Sequence, residues 1–250
     1  MRIVLTASVA AVALLSAAAA QAQTVGHVGA NYARTDGDVG GFDVESDGFE
    51  IEGAAAFTTG NGLGVAVDGA FGDAEDADSV WTATGHLNTN LGGARVGGFA
   101  GFVTSDGDTL WGVGAEAQAD LAPNTVLYGQ LGYGKADDLD LDAWAVRGEI
   151  RQYVSENFKL AGNVGYITAD QDLAGDLDAW TFGADAEYQF AGTPFSVFGG
   201  YQRLEFDDFD ADADTFKIGV RYTFGGSLRA RDTAGAELGS VSTLFGGLTR

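Results

Sequence analysis

The stretch Asp140-Leu141-Asp142-Ala143-Trp144 recurs, residue for residue, as Asp176-Leu177-Asp178-Ala179-Trp180. Each copy closes an acidic run and opens a segment of alternating polarity, the second continuing WTFGADAEYQF over 180–190. Trp81 and Trp111 follow the acidic stretches 73–79 and 105–109 in the same way, so one pattern covers all 4 tryptophans. Phe49 and Phe216 hold the equivalent places after the acidic stretches 36–48 and 205–215. A large aromatic directly after clustered carboxylates marks a passage from water into an apolar zone within a few residues.

From Thr24 onward the apolar residues recur with period two, the mark of strands with two unlike faces. In FEIEGAAAF, Phe49, Ile51, Ala55 and Phe57 share one face and Glu50, Glu52, Ala54 and Ala56 the other. In FKIGVRYTF, Phe216, Ile218, Val220, Tyr222 and Phe224 oppose Lys217, Gly219, Arg221 and Thr223. Twelve such segments begin near Thr24, Gly48, Gly62, Val80, Gly93, Thr109, Thr125, Ala143, Asn157, Ala179, Pro194 and Thr215. Each runs about 9 to 13 residues, the length a tilted membrane-crossing strand needs.

The connections alternate in type. Five are tight: Gly60-Asn61-Gly62, Gly92-Gly93, Pro123-Asn124, Glu156-Asn157 and Gly192-Thr193-Pro194. The other six, 36–48, 73–79, 105–109, 136–143, 169–179 and 205–215, hold 25 of the 36 acidic residues and no Lys or Arg. Every tryptophan stands at the acidic ends of the segments. A soluble sandwich also alternates, but it has no reason to gather its tryptophans at one end, whereas a membrane interface attracts amphipathic rings. Strands cross lipid only when the sheet closes and no edge stays unpaired. The expected fold is therefore all-β: a transmembrane antiparallel β-barrel of about 12 strands, with short periplasmic turns, acidic extracellular loops and a C-terminal extension. Its aromatic girdle is Trp81, Trp111, Trp144 and Trp180.

Residues 1–22 read as a cleaved signal peptide: Arg2, a short apolar run and small residues ending Ala20-Gln21-Ala22. This implies export through the Sec route, leaving a barrel over 23–224 and an extension over 225–250. With Arg2 gone, 12 basic side chains face 36 acidic ones, a balance that repels nucleic acid. The chain has no cysteine, which excludes disulfides, thiolate catalysis and Cys-ligated metals.

These features resemble Gram-negative outer-membrane β-barrels, of the small porin-like type found in alphaproteobacteria. The resemblance spans about Thr24 to Phe224 and rests on the signal peptide, the hairpin rhythm and the aromatic-ended last strand VRYTF. It implies an outer-membrane location, lipid and lipopolysaccharide as surroundings, and assembly by the barrel assembly machinery. Two departures stand out. Twenty-six residues follow Phe224, where such chains usually end, and the third acidic connection is too short for the inward loop of large trimeric porins. A monomer is expected, with a trimer left open.

Alternation places Glu50, Glu52, Asp68, Glu116, Asp120, Glu149, Asp185 and Glu187 on the inner face, with Arg95, Arg147, Arg151, Lys159, Lys217 and Arg221. These are the candidate pore-lining residues, with a basic wall around Arg147, Arg151 and Lys159; a lumen-filling ion-pair network is the bland alternative. Inward Gly112, Gly114, Gly132 and Gly134, among other small residues, suggest residual space, and twelve strands lie between the filled eight-stranded and the open sixteen-stranded barrel. Arg34, Lys135 and Arg203 fall on the lipid-facing side beside Tyr32, Tyr133 and Tyr201, either snorkelling to lipopolysaccharide phosphates or serving as rim charges.

FDADAD (209–214) lacks the glycine and closing glutamate of a calcium loop, so no metal site and no cofactor are assigned; loose divalent cations at the loops are allowed. Twelve-stranded outer-membrane phospholipases use a Ser/His/Asn set on the lipid side, but His27 and His86 both count inward, and no enzymatic site is assigned. In the tail, Leu238, Val241, Phe245 and Leu248 have near-helical spacing, weakened by Gly235 and Gly239. The segment is expected to lack fixed structure, to rest on the rim, to bind a partner or to plug the lumen. The functional expectation is a passive diffusion channel for small hydrophilic solutes that prefers cations. The alternative is a non-conducting structural or surface barrel whose acidic loops bind divalent cations or other cells.

Overall fold

A computed structural model of the chain describes residues 24–59, 62–75, 78–171, 175–207 and 211–246. The expected signal peptide, the Gly60-Asn61 half of one turn, Phe209 and Asp210 of the FDADAD stretch, and Leu248 lie outside these residues.

Twelve antiparallel strands close into one barrel in which each pairs with its chain neighbours and the last with the first. They are β1 (Val25–Val39), β2 (Phe42–Thr58), β3 (Leu63–Ala74), β4 (Val80–Leu91), β5 (Ala94–Ser105), β6 (Asp108–Ala122), β7 (Thr125–Ala136), β8 (Leu141–Ser155), β9 (Phe158–Gln171), β10 (Gly175–Gln189), β11 (Phe195–Phe206) and β12 (Ala211–Phe224). Closure is made by β1 against β12, from Gly26↔Phe224 to Val39↔Ala211. No sheet edge remains, as a lipid-spanning sheet requires.

The strands are longer than the alternation alone suggested, 12 to 17 residues, and the surplus lies mostly at the acidic end. Much of what reads as acidic loop is ladder. β1 and β2 pair through Asp36↔Glu45 and Asp38↔Asp43 and turn on Gly40-Gly41. Both glycines have positive φ, 61° and 85°, as a two-residue primed turn demands. β5 and β6 close likewise on Asp106-Gly107. Strand propensity disfavours aspartate only weakly when both faces of a hairpin meet water, so pairing continues past the apolar zone. The two DLDAW copies are accordingly not equivalent. Asp140 sits in the left-handed region at φ 46°, ending a 3₁₀ turn over Asp137–Leu139, whereas Asp176 is already within β10.

The outer face is apolar. Ile51, Leu87, Val113, Leu131, Val146, Ile150 and Ile218 are all exposed there, none below 48 %. Aromatic residues pair across each hairpin at the acidic end: Phe49↔Tyr32, Trp81↔Phe71, Trp111↔Phe102, Trp144↔Tyr133, Trp180↔Tyr166 and Phe216↔Tyr201. Directly opposed rings of this kind stabilise a sheet pair by a few tenths to about 1 kcal/mol each.

The chain does not stop at the barrel wall. After Gly225 and Gly226, both at positive φ, it turns inward and forms α1 (Leu228–Ala234) and α2 (Val241–Phe245). Ser227 caps α1 by accepting from Ala230 N, and Ser240 caps α2 from Thr243 N. Gly235, at φ 91°, ends α1. The expectation of a tail without fixed structure is overturned: Leu228, Val241, Leu244 and Phe245 are buried to 3 % exposure or less. Burying such side chains contributes about 1.5–3 kcal/mol each relative to leaving them in water, which two short helices could not supply alone.

Candidate functional site

The lumen is the site, and the tail fills much of it. Its upper part packs on glycines. A Cβ on Gly112 would stand 2.8 Å from Val241 Cγ1, one on Gly132 2.7 Å from Leu244 Cδ2, and one on Gly134 3.1 Å from the Phe245 ring. Gly112↔Gly134 and Gly114↔Gly132 are direct partners on β6 and β7, so the four form one flat inner patch. The space those glycines suggested is therefore not open; it receives α2, with Phe99 lying over Gly114 and Gly132. Val103, Leu110, Ala143, Ala145 and Ile167 complete an apolar inner wall. Alternation alone did not single out this wall, because an inward valine on one strand reads as an exception until neighbouring strands align it.

The lower part of the tail is polar. Asp232 is fully buried, and its Oδ1 accepts hydrogen bonds from Arg151 Nη1 at 2.6 Å and Gln118 Nε2 at 2.9 Å. Its Oδ2 accepts from Tyr153 Oη at 2.9 Å. Glu237 Oε2 lies 2.5 Å from Lys159 Nζ, and its other oxygen pairs with Arg231. Burial disfavours its charge, but Arg231 and Lys159 outweigh burial and hold Glu237 well below the ordinary carboxylate range. Tail peptide groups are met as well: Arg95 donates to the Thr233 carbonyl, Gln130 to the Gly239 carbonyl, and Thr84 Oγ1 accepts from Val241 N.

Of the fourteen candidate lining residues, Arg95 and Lys159 meet the tail as described, and the other twelve make the following contacts. Arg147 and Arg151 share Glu149. Arg221 bridges Glu52 and Glu187, and Glu187 also takes Arg231 at 2.6 Å. Asp68 and Glu116 flank His86, at 2.9 Å from Nε2 and 3.0 Å from Nδ1, while Tyr128 donates to Glu116. Lys217 faces Asp185 at 3.2 Å, Glu50 accepts from Asn31, and Asp120 takes Arg229. Exposure divides the wall. Arg151 and Glu187 are 2 % exposed, but the Lys217 and Asp185 side chains keep 38 % and 29 %. Solvent thus reaches Asp185 and Lys217 and is displaced from Arg151 and Glu187, which meet the tail.

At the acidic rim, Arg34 pairs with Asp36 and Glu45, Lys135 with Asp137 and Asp142, and Arg203 with Glu205, Asp212 and Asp214. Tyr32, Tyr133 and Tyr201 donate to Asp47, Asp142 and Asp214. Of the two readings of these cations, the rim charge describes the contacts: their donors meet carboxylates. Among the described residues no group of three or more His, Cys, Asp or Glu is arranged to hold a metal ion.

The model of the outer membrane protein β-barrel domain matches residues 6–224. The chain belongs to that family. Its place is accordingly the bacterial outer membrane. No curated protein matches the sequence. Among solved structures, an outer-membrane channel from Pseudomonas putida F1 aligns with a TM-score of 0.59 at 13 % identity, over 81 % of this chain and 95 % of that one. The NanC porin aligns at 0.55 and 10 % identity, over 77 % and 98 %. The KdgM porin, solved in complex with disordered oligogalacturonate, aligns at 0.52 and 10 %, over 78 % and 99 %. At these identities the likeness is one of fold.

Proposed function

We propose that this outer-membrane barrel is a porin-like channel for passive diffusion of small hydrophilic solutes, with its own C-terminal tail as an internal plug. One observation carries the reading: the lumen accommodates both helices of the tail, packed on inner-face glycines and bonded to inner-face side chains. A helix with its side chains is about 10–12 Å across, so a barrel relieved of the tail has an aperture of that order. A structural barrel has no need of such width, because about eight strands already fill their own interior. The likeness in fold to three porins or channels supports the same reading.

In this reading the acidic end faces the medium, the tight turns and both barrel termini face the periplasm, and lipid with lipopolysaccharide surrounds a monomer. Acidic side chains at the outer mouth outnumber the rim cations and concentrate cations there. The wall groups orient and screen solutes, and none performs covalent chemistry. The plug is also the feature that favours a second reading, a closed barrel that presents acidic hairpins to divalent cations or to other cells. Single-channel recording on refolded full-length protein decides. Conductance steps that grow or lengthen in Phe245→Ala, where the apolar hold of the tail is cut, are expected. A folded Phe245→Ala barrel that never conducts would leave the closed barrel standing.

A further inference from the structure

The barrel wall beneath the tail is built to hold carboxylates. Gln118 on β6, Arg151 and Tyr153 on β8, and Lys159 on β9 converge on two tail carboxylates, Asp232 and Glu237. For Asp232, three donors come from the wall and only Arg229, at 3.4 Å, from the tail itself. Arg151 spans both positions, since its Nη2 donates to the Glu237 carbonyl at 2.7 Å. A guanidinium, a phenol and an amide aimed at one carboxylate form a charge-assisted set that specifies the ligand's chemistry.

On the β8–β9 side the wall cations are Arg147, Arg151 and Lys159, and the wall carboxylates within reach of them are Glu149 and Glu187. Glu149 is shared by two arginines, and Lys159 stands 3.7 Å from its wall carboxylate but 2.5 Å from Glu237. Asp232 and Glu237 give Arg151 and Lys159 further carboxylate partners, while Arg229 and Arg231 of the same tail pair with Asp120 and Glu187. If the latch served only to hold the tail, it would be a poor device, because desolvation cancels most of what buried ion pairs contribute, and the apolar α2 already anchors the segment. Beside Asp232 the wall also keeps a cavity of about 100 Å³, lined by Asn90, Arg95, Gln118 and Asp120, room for a few waters.

We propose that Gln118, Arg151, Tyr153 and Lys159 form a binding site for solutes bearing carboxylate groups, and that Asp232 and Glu237 occupy it as a tethered internal ligand. The proposal deepens the channel reading, resting on the tail's leaving the lumen, but binding itself needs no conduction. A tethered ligand competes at a high effective concentration. A free solute therefore binds weakly to the intact chain and more tightly once the tail's carboxylates are neutralised.

The experiment is calorimetric titration of full-length protein in micelles, at fixed ionic strength, with glutarate and with uncharged pentane-1,5-diol. Asp232→Asn combined with Glu237→Gln is expected to raise glutarate affinity at least tenfold over the natural chain, with no response to the diol. Adding Arg151→Gln and Lys159→Gln should abolish that gain. Phe245→Ala loosens the tail while leaving every wall donor in place, and should raise glutarate affinity in the same direction, so a poorly folding double variant does not remove the test. Unchanged glutarate affinity in folded variants, or equal binding of the diol, overturns the site. Loss of conductance with glutarate binding retained would count against the channel and not against the site.

Discussion

Leu244 stands where a side chain on Gly132 would be, its Cδ2 2.7 Å from the position of the missing Cβ. The β7 residue and the tail residue are thus one packing unit separated by more than a hundred positions of chain. Replacing Gly132 with leucine overfills that unit, at about 1–3 kcal/mol, and is expected to drive α2 off the wall. Gly148, on the adjacent strand, faces outward with nothing within 4 Å of an added Cβ. Gly132→Leu should increase bilayer conductance and Gly148→Leu should not. Equal effects would mean that the tail does not seal the lumen through this contact.

Acid is expected to release the tail. A carboxyl whose folded pKa is depressed stabilises fully above its unfolded value and loses that contribution as pH falls through the folded one. Glu237 is held well below its ordinary 4.5. Its contribution to tail retention should therefore be constant from pH 8 to about pH 5 and decline only in stronger acid. Conductance recorded across that range should stay flat and then rise. Glu237→Gln should already show the raised level at pH 7, and a wild-type rise between pH 8 and pH 6 would assign the release to another group.

The four tryptophans lie at one end of the barrel, each opposite an aromatic partner, with Trp111, Trp144 and Trp180 at 59 %, 55 % and 40 % exposure. Lipids brominated near the headgroup should quench their fluorescence more than lipids brominated at the chain ends, because indole rings favour the interface. Equal quenching at both depths would remove the rings from that level.

Selectivity should depend on salt. Among the described residues three rim cations meet seven carboxylates at the acidic end, so the mouth stays negative. Its field decays over about 8 Å at physiological ionic strength and about 3 Å at 1 M. Reversal potentials should show cation preference in dilute salt that fades in molar salt. Preference that persists there would place the filter at Asp185 and Lys217, where solvent reaches the inner wall.

Orientation is open to labelling. An epitope between Gly40 and Gly41 should be reached by antibody on intact cells, and one between Gly92 and Gly93 only after the outer membrane is opened. The reverse pattern would invert the proposed topology.

The sequence by itself determined the barrel. Period-two alternation, the DLDAW passages and the aromatic ends of strands are local signals, each set by the contrast between lipid, water and lumen within a few residues. It also set the expected facing of each charged residue, because facing follows from parity along one strand. What only the tertiary structure decided is what the inner face meets. Gly112, Gly114, Gly132 and Gly134 read as space when each strand is taken alone, and become a seat for Val241, Leu244 and Phe245 once β6 and β7 align. The basic wall of Arg147, Arg151 and Lys159 was legible, but its partners Asp232 and Glu237 lie about eighty residues further along the chain. The lengths of the hairpins were misjudged for a related reason: backbone pairing, unlike side-chain polarity, does not end where the apolar zone ends. The tail carries little helical tendency of its own, and only burial in a closed barrel gives it a fixed structure.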